Sequence, residues 1–485
     1  MARLTSRYVC QSCAAESPRW EGQCRQCGEW NTLVETAVRR AEHGARRPVA
    51  SMAPAAEVVP LGQVSPDAAP RVSVGIDELD RVLGGGVVAG SLVLLAGEPG
   101  VGKSTLALGA AAALADRGER AVLYVSGEES PGQLRLRAGR LGVLGGSTAE
   151  RVHVLGASDV EAVTEAARRL VPAMLIVDSI QALTADDLDG PAGSVGQVRE
   201  AAHRLLLLAK GHDIPVIVVG HVTKDGSVAG PKTLEHLVDV VLSLEGEPGG
   251  SVRLLRATKN RFGSTEEVGL FEMGQDGLRP LSDPAALFVP AADAHPPGSA
   301  VALLLEGSRP LLVEVQALVG GGGYGPPRRT ASGIELDRLA LLTAVLAKRA
   351  GVGVGTHDVY VSLAGGLRSR EPALDLPLAV AIASSLRDRP VVAGTVAGAE
   401  VSLSGELRRV PGVERRLREA ARLGYRRAII AGTGERHVDG LHVLALPTLR
   451  AALAAAIEPP GSSEGRAGAE PRGMAALPVE REARA

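Results

Sequence analysis

Lysine is the residue this chain does without. Of its 53 basic residues only six are lysine: Lys103, Lys210, Lys224, Lys232, Lys259 and Lys348. Arginine is written wherever either would serve, so a surviving lysine is either a place where a compact ammonium does what a planar guanidinium does not or a chance survivor. Aromatics are equally scarce, with two tryptophans, five tyrosines and three phenylalanines in 485 residues. No apolar run approaches the length of about 18 residues that a membrane helix needs, which excludes a spanning segment. Net charge is only −2, which excludes strong whole-molecule attraction to nucleic acid and leaves room for a local basic track. The opening Met1-Ala2-Arg3-Leu4-Thr5-Ser6-Arg7 leads into no apolar core of the kind a secretion signal carries, so the expected location is the cytoplasm. Cysteine is confined to four positions, all within the first 27 residues.

What is present reads as ordinary soluble globular protein, 45% apolar and 22% charged, long enough for two to four domains. The cysteines fall as Cys10-x2-Cys13 and Cys24-x2-Cys27. Two such pairs offer four thiolates that can close tetrahedrally on Zn²⁺, and a cytosolic chain disfavours disulfides. Trp20 and Trp30 flank the second pair, and metal plus two indoles are expected to supply the core that so small a unit lacks. Residues 1–38 are therefore read as a zinc ribbon, and the Arg-, Ala- and Pro-rich stretch 39–57 as a linker.

From 58 to 284 strand and helix patterns alternate. Leu92–Ala96, Ala121–Ser126, Ala173–Asp178 and Pro215–Gly220 read as buried strands, with helices such as Glu161–Leu170 and Gln197–Lys210 between them. This predicts an α/β fold with a parallel sheet covered on both faces. Val238–Glu245, Ser251–Ala257 and Glu267–Met273 read as a β-meander appended to it. A different α+β domain is expected over 285–458. It has a hairpin at Ala300–Glu306 and Leu311–Leu318, and helices at Leu336–Arg349, Leu376–Leu386 and Gly412–Leu423. Residues 459–485 read as a disordered tail. There is no internal repeat.

The strongest single signal is Gly97-Glu98-Pro99-Gly100-Val101-Gly102-Lys103-Ser104, a complete G-x-x-x-x-G-K-[ST] run that continues through Thr105, between a strand and the helix-forming stretch Leu106–Ala115. Glycines let backbone N–H groups turn around phosphate oxygens, and the following helix N-terminus adds positive potential. ATP is the expected ligand, with Lys103 at the β- and γ-phosphates and Ser104 on Mg²⁺. Met174–Asp178 is an apolar strand that ends in a carboxylate, so Asp178 fits the Mg²⁺ side. Glu128 and Glu129 follow the neighbouring strand. Either can polarise the attacking water or serve as a helix N-terminal charge; we favour Glu128. His221, at the end of the fourth strand, is either a satisfied core histidine or a γ-phosphate sensor. Lys259-Asn260-Arg261-Phe262-Gly263 puts two cations around a turn between strands.

Taken together these residues resemble the RadA (Sms) family of bacterial DNA repair proteins over nearly the whole chain. The resemblance rests on the four-cysteine ribbon with its tryptophans and on Val74-Gly75-Ile76-Asp77-Glu78-Leu79-Asp80. It rests also on Ser126-Gly127-Glu128-Glu129-Ser130, Gly193-Ser194-Val195-Gly196-Gln197-Val198-Arg199, and Lys259–Gly263, which matches the family's KNRFG signature throughout. It implies a RecA-like P-loop motor that forms a hexameric ring on single-stranded DNA. It also implies ATP-driven branch migration of recombination intermediates (D-loops, Holliday junctions) with the RecA recombinase. The position of Glu128 then carries the water-activating carboxylate. Lys259 and Arg261 supply cations to a neighbour's γ-phosphate, and the segments after Ile180 and His221 face DNA. Arg199, Arg204, Lys210, Lys224 and Lys232 are the local cations for that contact.

The C-terminal domain resembles the proteolytic domain of Lon, but the chemistry is missing. Where Lon has its serine loop this chain has Pro372-Ala373-Leu374-Asp375-Leu376, and where Lon has its lysine it has Pro411-Gly412-Val413-Glu414. Ser369 and Ser384 have no lysine nearby in these segments. A retained scaffold for ring assembly or DNA contact is expected, not a protease. Two other readings, an ATP-dependent protease and a non-motor ATP-binding regulator, differ from the motor in casein degradation and in DNA-stimulated ATP turnover.

Overall fold

The computed structural model describes residues 4–10, 15–17, 19–39, 60–63, 70–146, 148–221, 234–246, 250–281, 288–289, 296–321 and 326–457. Cys13, Lys224, Lys232, the tail and all of the expected linker except Arg39 lie outside them. Two compact units result: Met1–Phe288 with Leu305–Leu311 and Gly365–Leu367, and the remainder.

At the start of the first unit, Leu4–Cys10 pairs antiparallel with both Glu16–Ser17 and Leu33–Arg39, and Cys10 stands opposite Leu33. Cys10, Cys24 and Leu33 are buried together, with Tyr8 and Ala15 against them. The expected aromatic core is not there. Trp20 is 56% and Trp30 68% exposed, because cysteine sulfurs and Leu33 already fill the small interior.

The rest of this unit is built on one nine-stranded sheet. Six strands run parallel, in the order Val240–Glu245, Leu92–Gly97, Val216–His221, Met174–Asp178, Val122–Ser126, Val152–Gly156. Each central strand is apolar at nearly every position because both faces are covered. Val93 and Leu95 face the helix Lys103–Arg117 through Leu106, Ala107, Ala110 and Leu114. Leu92, Leu94 and Ala96 face the helices Val160–Leu170 and Val195–His212 through Val163, Ala167, Val198 and Leu205. The expected meander is part of the same sheet. Val240–Glu245 lies parallel beside the central strand, and only Val252–Asn260, Val268–Gly274 and Gly277–Pro280 continue antiparallel.

The second unit holds an eight-stranded mixed sheet with the helices Leu336–Val345, Asp375–Arg387, Val413–Arg422 and Leu449–Ala456. The first of these is shorter than the sequence pattern. It passes into a π-helical turn at Leu346–Ala350 and stops at Gly351, whose φ of +71° suits glycine. Among the described residues no helix is long and apolar enough to cross a membrane.

Candidate nucleotide site and metal centre

Parallel α/β sheets bind ligands beyond the C-terminal ends of their strands. At that edge the fold gathers the glycine loop after Gly97, Glu128, Asp178 with Ser179, and His221. Two glycines are there for space. A Cβ on Gly97 would stand 2.5 Å from the Leu244 carbonyl oxygen, and one on Gly102 2.6 Å from Met273 Cε. The loop therefore rests directly on the neighbouring strands.

Lys103 begins the helix and is buried, its Nζ donating to the carbonyls of Gly97 and Glu98 at 2.9 Å each. Burial pulls its ammonium below the ordinary lysine value, while the carboxylates of Asp178 and Glu128 push the other way. Ser104 Oγ donates to Asp178 Oδ1 at 3.1 Å, which brings the two expected Mg²⁺ groups together across 74 residues. An oxygen-only pair of this kind suits a hard cation that keeps part of its water shell.

Asp178 has a partner that sequence reading did not find. The Tyr124 hydroxyl donates to Oδ2 at 2.7 Å from a fully buried position. Burial, then the adjacent Asp178, raise that phenol well above its ordinary value, so it stays a donor. The only sequence signal was a tyrosine inside an otherwise aliphatic strand.

The two glutamates separate cleanly. Glu129 forms an ion pair with Arg137 of the following helix. Ser130 caps that helix in a reciprocal box with Gln133, so neither Glu129 nor Ser130 faces the loop as a free group. Glu128 Oε1 accepts from Ser179 Oγ at 2.5 Å and lies 3.6 Å from His221 Nε2, and its side chain is half exposed. Gly127 is required beside it, since a Cβ there would meet Ala182 Cβ at 2.5 Å.

The Lys259–Gly263 turn is elsewhere. Asp239, at 1% exposure, accepts the Leu92 N–H at 3.1 Å on Oδ2 and pairs with Arg261 at 2.9 Å on Oδ1. Leu92 begins the central strand and Gly97 ends it, so turn and phosphate loop stand at opposite ends of the sheet. Lys259 Nζ donates to the carbonyls of Glu235 and Val238 at 2.5 and 2.8 Å. Desolvation, then nearby Arg261, lower its ammonium below the ordinary value. Asn260 Oδ1 accepts the Phe262 N–H, and Arg71 holds the Phe262 carbonyl at 2.6 Å.

Two expected DNA cations change meaning. Arg204 binds Glu161, Asp187 and Glu200 at once; burial lowers its value, the Asp187 and Glu200 bonds together outweigh that and raise it, and so it is a structural hub. Lys210 lies 3.7 Å from Asp239. Gln197 of the Gly193–Arg199 segment is buried and pins the loop before it through Ala185, Leu188 and Gly190. In Val74–Asp80, the Asp80 carboxylate accepts from Ser73 Oγ and the Val74 and Gly75 amides, which fixes that turn.

In the ribbon the Cys10, Cys24 and Cys27 sulfurs all lie within 4.8 Å of one another, with Cys10 and Cys27 at 3.6 Å. Thiolates on a tetrahedral Zn²⁺ stand about 3.8 Å apart given Zn–S bonds near 2.3 Å, so the spacing fits zinc. It is far longer than a disulfide.

Family comparisons agree with this layout. A model for an AAA domain matches residues 62–227, one for a rubredoxin metal-binding domain matches 8–35, and one for the ChlI subunit of Mg-chelatase matches 341–433. DNA repair protein RadA of Bacillus subtilis is 44% identical over 93% of this chain and 99% of its own length. The chain belongs to the RadA family. RadA of Pseudomonas aeruginosa is 44% identical, over 94% of this chain and 100% of that protein, and RadA of Escherichia coli 42%, over 93% and 99%. Family membership brings the zinc ribbon, the RecA-like P-loop domain and the Lon/ChlI-like C-terminal domain that the fold displays.

The ribbon allows a direct test. Freshly purified, reduced protein is expected to carry one zinc per chain by elemental analysis. Cys24→Ala should lose it and unfold the ribbon locally while nucleotide binding persists. Protein that carries no zinc would overturn the assignment.

Proposed function

We propose that this chain is a cytoplasmic DNA-dependent ATPase motor of recombinational repair. In this reading it assembles as a homo-hexamer on single-stranded DNA and drives branch migration of branched intermediates together with the RecA recombinase. Family membership supports the repair context. The observation that carries the ATPase part is the convergence of Lys103, the Ser104–Asp178 pair and Glu128 at one sheet edge. Bound ATP with Mg²⁺ supplies the phosphoanhydride and the charge-neutralising cation. The chain supplies the rest. Loop amides and Lys103 would hold phosphate oxygens, Ser104 and Asp178 would hold the metal, and Tyr124 fixes Asp178. Glu128, steadied through Oε1 by Ser179, accepts a proton from water; His221 beside it is placed to register the γ-phosphate. The Lys259 and Arg261 turn serves a neighbouring subunit. The test is ATP turnover with and without single-stranded DNA, measured beside oligomeric mass. A DNA-indifferent rate in a monomer would defeat the motor reading.

The C-terminal unit is proposed to be proteolytically inert. Asp375, just after Leu374, is buried in a bidentate pair with Arg338 and accepts the Val401 N–H. Burial raises its carboxyl, and the Arg338 bond opposes that. An ion pair thus fills the region that in Lon precedes the catalytic helix. Ser384 is buried and donates to the Arg389 carbonyl, and Glu414 pairs with Arg436. The single lysine from 326 to 457, Lys348, is exposed, whereas Ser384 is buried. Casein is expected to survive incubation with the protein and ATP. Cleavage lost on a point change in this unit would refute the claim. Removal of the unit should instead weaken ring assembly or DNA engagement, read by light scattering and gel shift.

A further inference from the structure

A buried arginine stands behind the phosphate loop, and no motif assigns it. Arg253 lies near the start of the Val252–Asn260 strand, only 7% exposed. Its Nε donates to the Val101 carbonyl at 3.0 Å, and its Nη1 to the carbonyls of Gly250 and Val252 at 2.6 and 2.9 Å. Val101 sits between Gly100 and Gly102 in the loop. A guanidinium deep in a protein is costly unless something uses its charge and its fork. Burial lowers Arg253 from its ordinary value.

The bond to Val101 has a geometric consequence. A phosphate loop works only if its N–H groups turn inward, and each carbonyl must then find a donor on the other side. The peptide between Val101 and Gly102 is planar and trans, so its C=O and N–H point in opposite directions. Drawing the Val101 carbonyl toward Arg253 turns the Gly102 N–H the other way. Gly102 packs on Met273 and Leu278 of the same antiparallel extension, so that part of the sheet is the backrest of the loop. Gly246 makes room for the arginine. A Cβ there would meet Arg253 Cδ at 2.3 Å, Nε at 2.8 Å and Nη1 at 3.0 Å.

We propose that Arg253 is a positioning residue for the nucleotide triphosphate, holding the Val101 carbonyl so that the loop amides face the phosphates and adding a fixed positive charge behind them. This rests on the reading of the loop as an ATP site. Arg253 acts through Val101 and touches no reacting atom. It binds from the same subunit, at the opposite end of its strand from Lys259.

The test compares ATP affinity, thermal stability and turnover in the full chain. Arg253→Met keeps the bulk and removes charge and donors. Its dissociation constant for ATP should rise about tenfold or more, the usual worth of a hydrogen bond from a charged group. Turnover at saturating ATP should fall much less, about threefold at most, because binding rather than the chemical step is affected. Arg253→Lys should recover part of the affinity. Gly246→Ala sets a Cβ against Arg253 Cδ and Nε, displaces the guanidinium from the Val101 carbonyl without removing it, and should weaken ATP in the same direction. The melting temperature without nucleotide should stay near wild type, while the rise on adding ATP shrinks. A purely structural arginine would give the reverse, a lower melting temperature with ATP affinity unchanged. If Arg253→Met does not fold, Gly246→Ala carries the same comparison. Folded Arg253→Met, or folded Gly246→Ala, binding ATP within about twofold of wild type would overturn the proposal. Lys103→Ala separates the two levels. If Lys103→Ala also kept ATP affinity, the ATP site itself would be misplaced; if it lost affinity while the other two kept theirs, only the role of Arg253 would fall.

Discussion

Lys103→Ala should reduce ATP turnover by about 10²–10³-fold or to background, with circular dichroism unchanged. The ammonium is at the head of a buried helix, between two loop carbonyls and within the field of Asp178 and Glu128. In the proposed site it is the cation that meets the phosphate oxygens, and removing it would leave charge that develops on those oxygens without a partner. Stability should not suffer. The folded protein depresses this lysine, so the charged side chain is a cost to folding, and alanine removes that cost along with two hydrogen bonds. The sign follows from linkage: a depressed lysine opposes folding while it is protonated, and that opposition fades as pH rises from its folded value to the ordinary lysine value. The melting temperature of the variant should therefore lie close to wild type at neutral pH, and ATP should no longer raise it. A folded variant that hydrolysed ATP at the wild-type rate would place the nucleotide elsewhere.

The parts of this site that were legible in the sequence are those whose signal is contiguous. The phosphate loop is eight consecutive residues whose spacing is dictated by phosphate geometry, and Asp178 closes a short apolar run of the length of a buried strand. The parts that were not legible depend on partners far along the chain. Tyr124 meets Asp178 across 54 residues and Arg253 meets Val101 across 152. Nothing local distinguishes that arginine from the many on the surface. Arg204 was read as a DNA cation for the same reason in reverse: two of its three carboxylates lie 17 and 43 residues away, so its charge looked unspent. Strand periodicity placed Val240–Glu245 but not its neighbour, because alternation reports burial and not pairing. The tryptophans read as core because they flank the second cysteine pair in a unit too small to have one of its own. Among the described residues the buried cluster is Cys10, Cys24 and Leu33 with Tyr8 and Ala15 against it, and both indoles lie outside it.

Mixing two inactive variants should restore activity if the Lys259–Gly263 turn works across a subunit boundary. The turn is tied through Asp239 to Leu92, and the phosphate loop leaves the same strand five residues later. At the rise of an extended strand that is about 16 Å, too far for these side chains to touch nucleotide held by their own subunit. A head-to-tail ring gives them another target, since each interface joins unlike surfaces. Arg261 is the better placed of the two cations, with its side chain half exposed beside Asp239. Lys259 is engaged by the carbonyls of Glu235 and Val238. A cation brought to a γ-phosphate stabilises charge that builds in the transition state, so its loss affects turnover more than binding. Arg261→Ala and Lys259→Ala should each bind ATP nearly normally and hydrolyse it poorly. Combined in equal amounts with Lys103→Ala, either should regain activity. An interface then works when an intact loop from one variant meets an intact turn from the other, on the order of a quarter of interfaces in randomly mixed rings. No recovery in rings shown to be mixed would confine the motif to its own subunit or to DNA coupling. Normal ATP turnover with lost branch migration would move its role from chemistry to transmission.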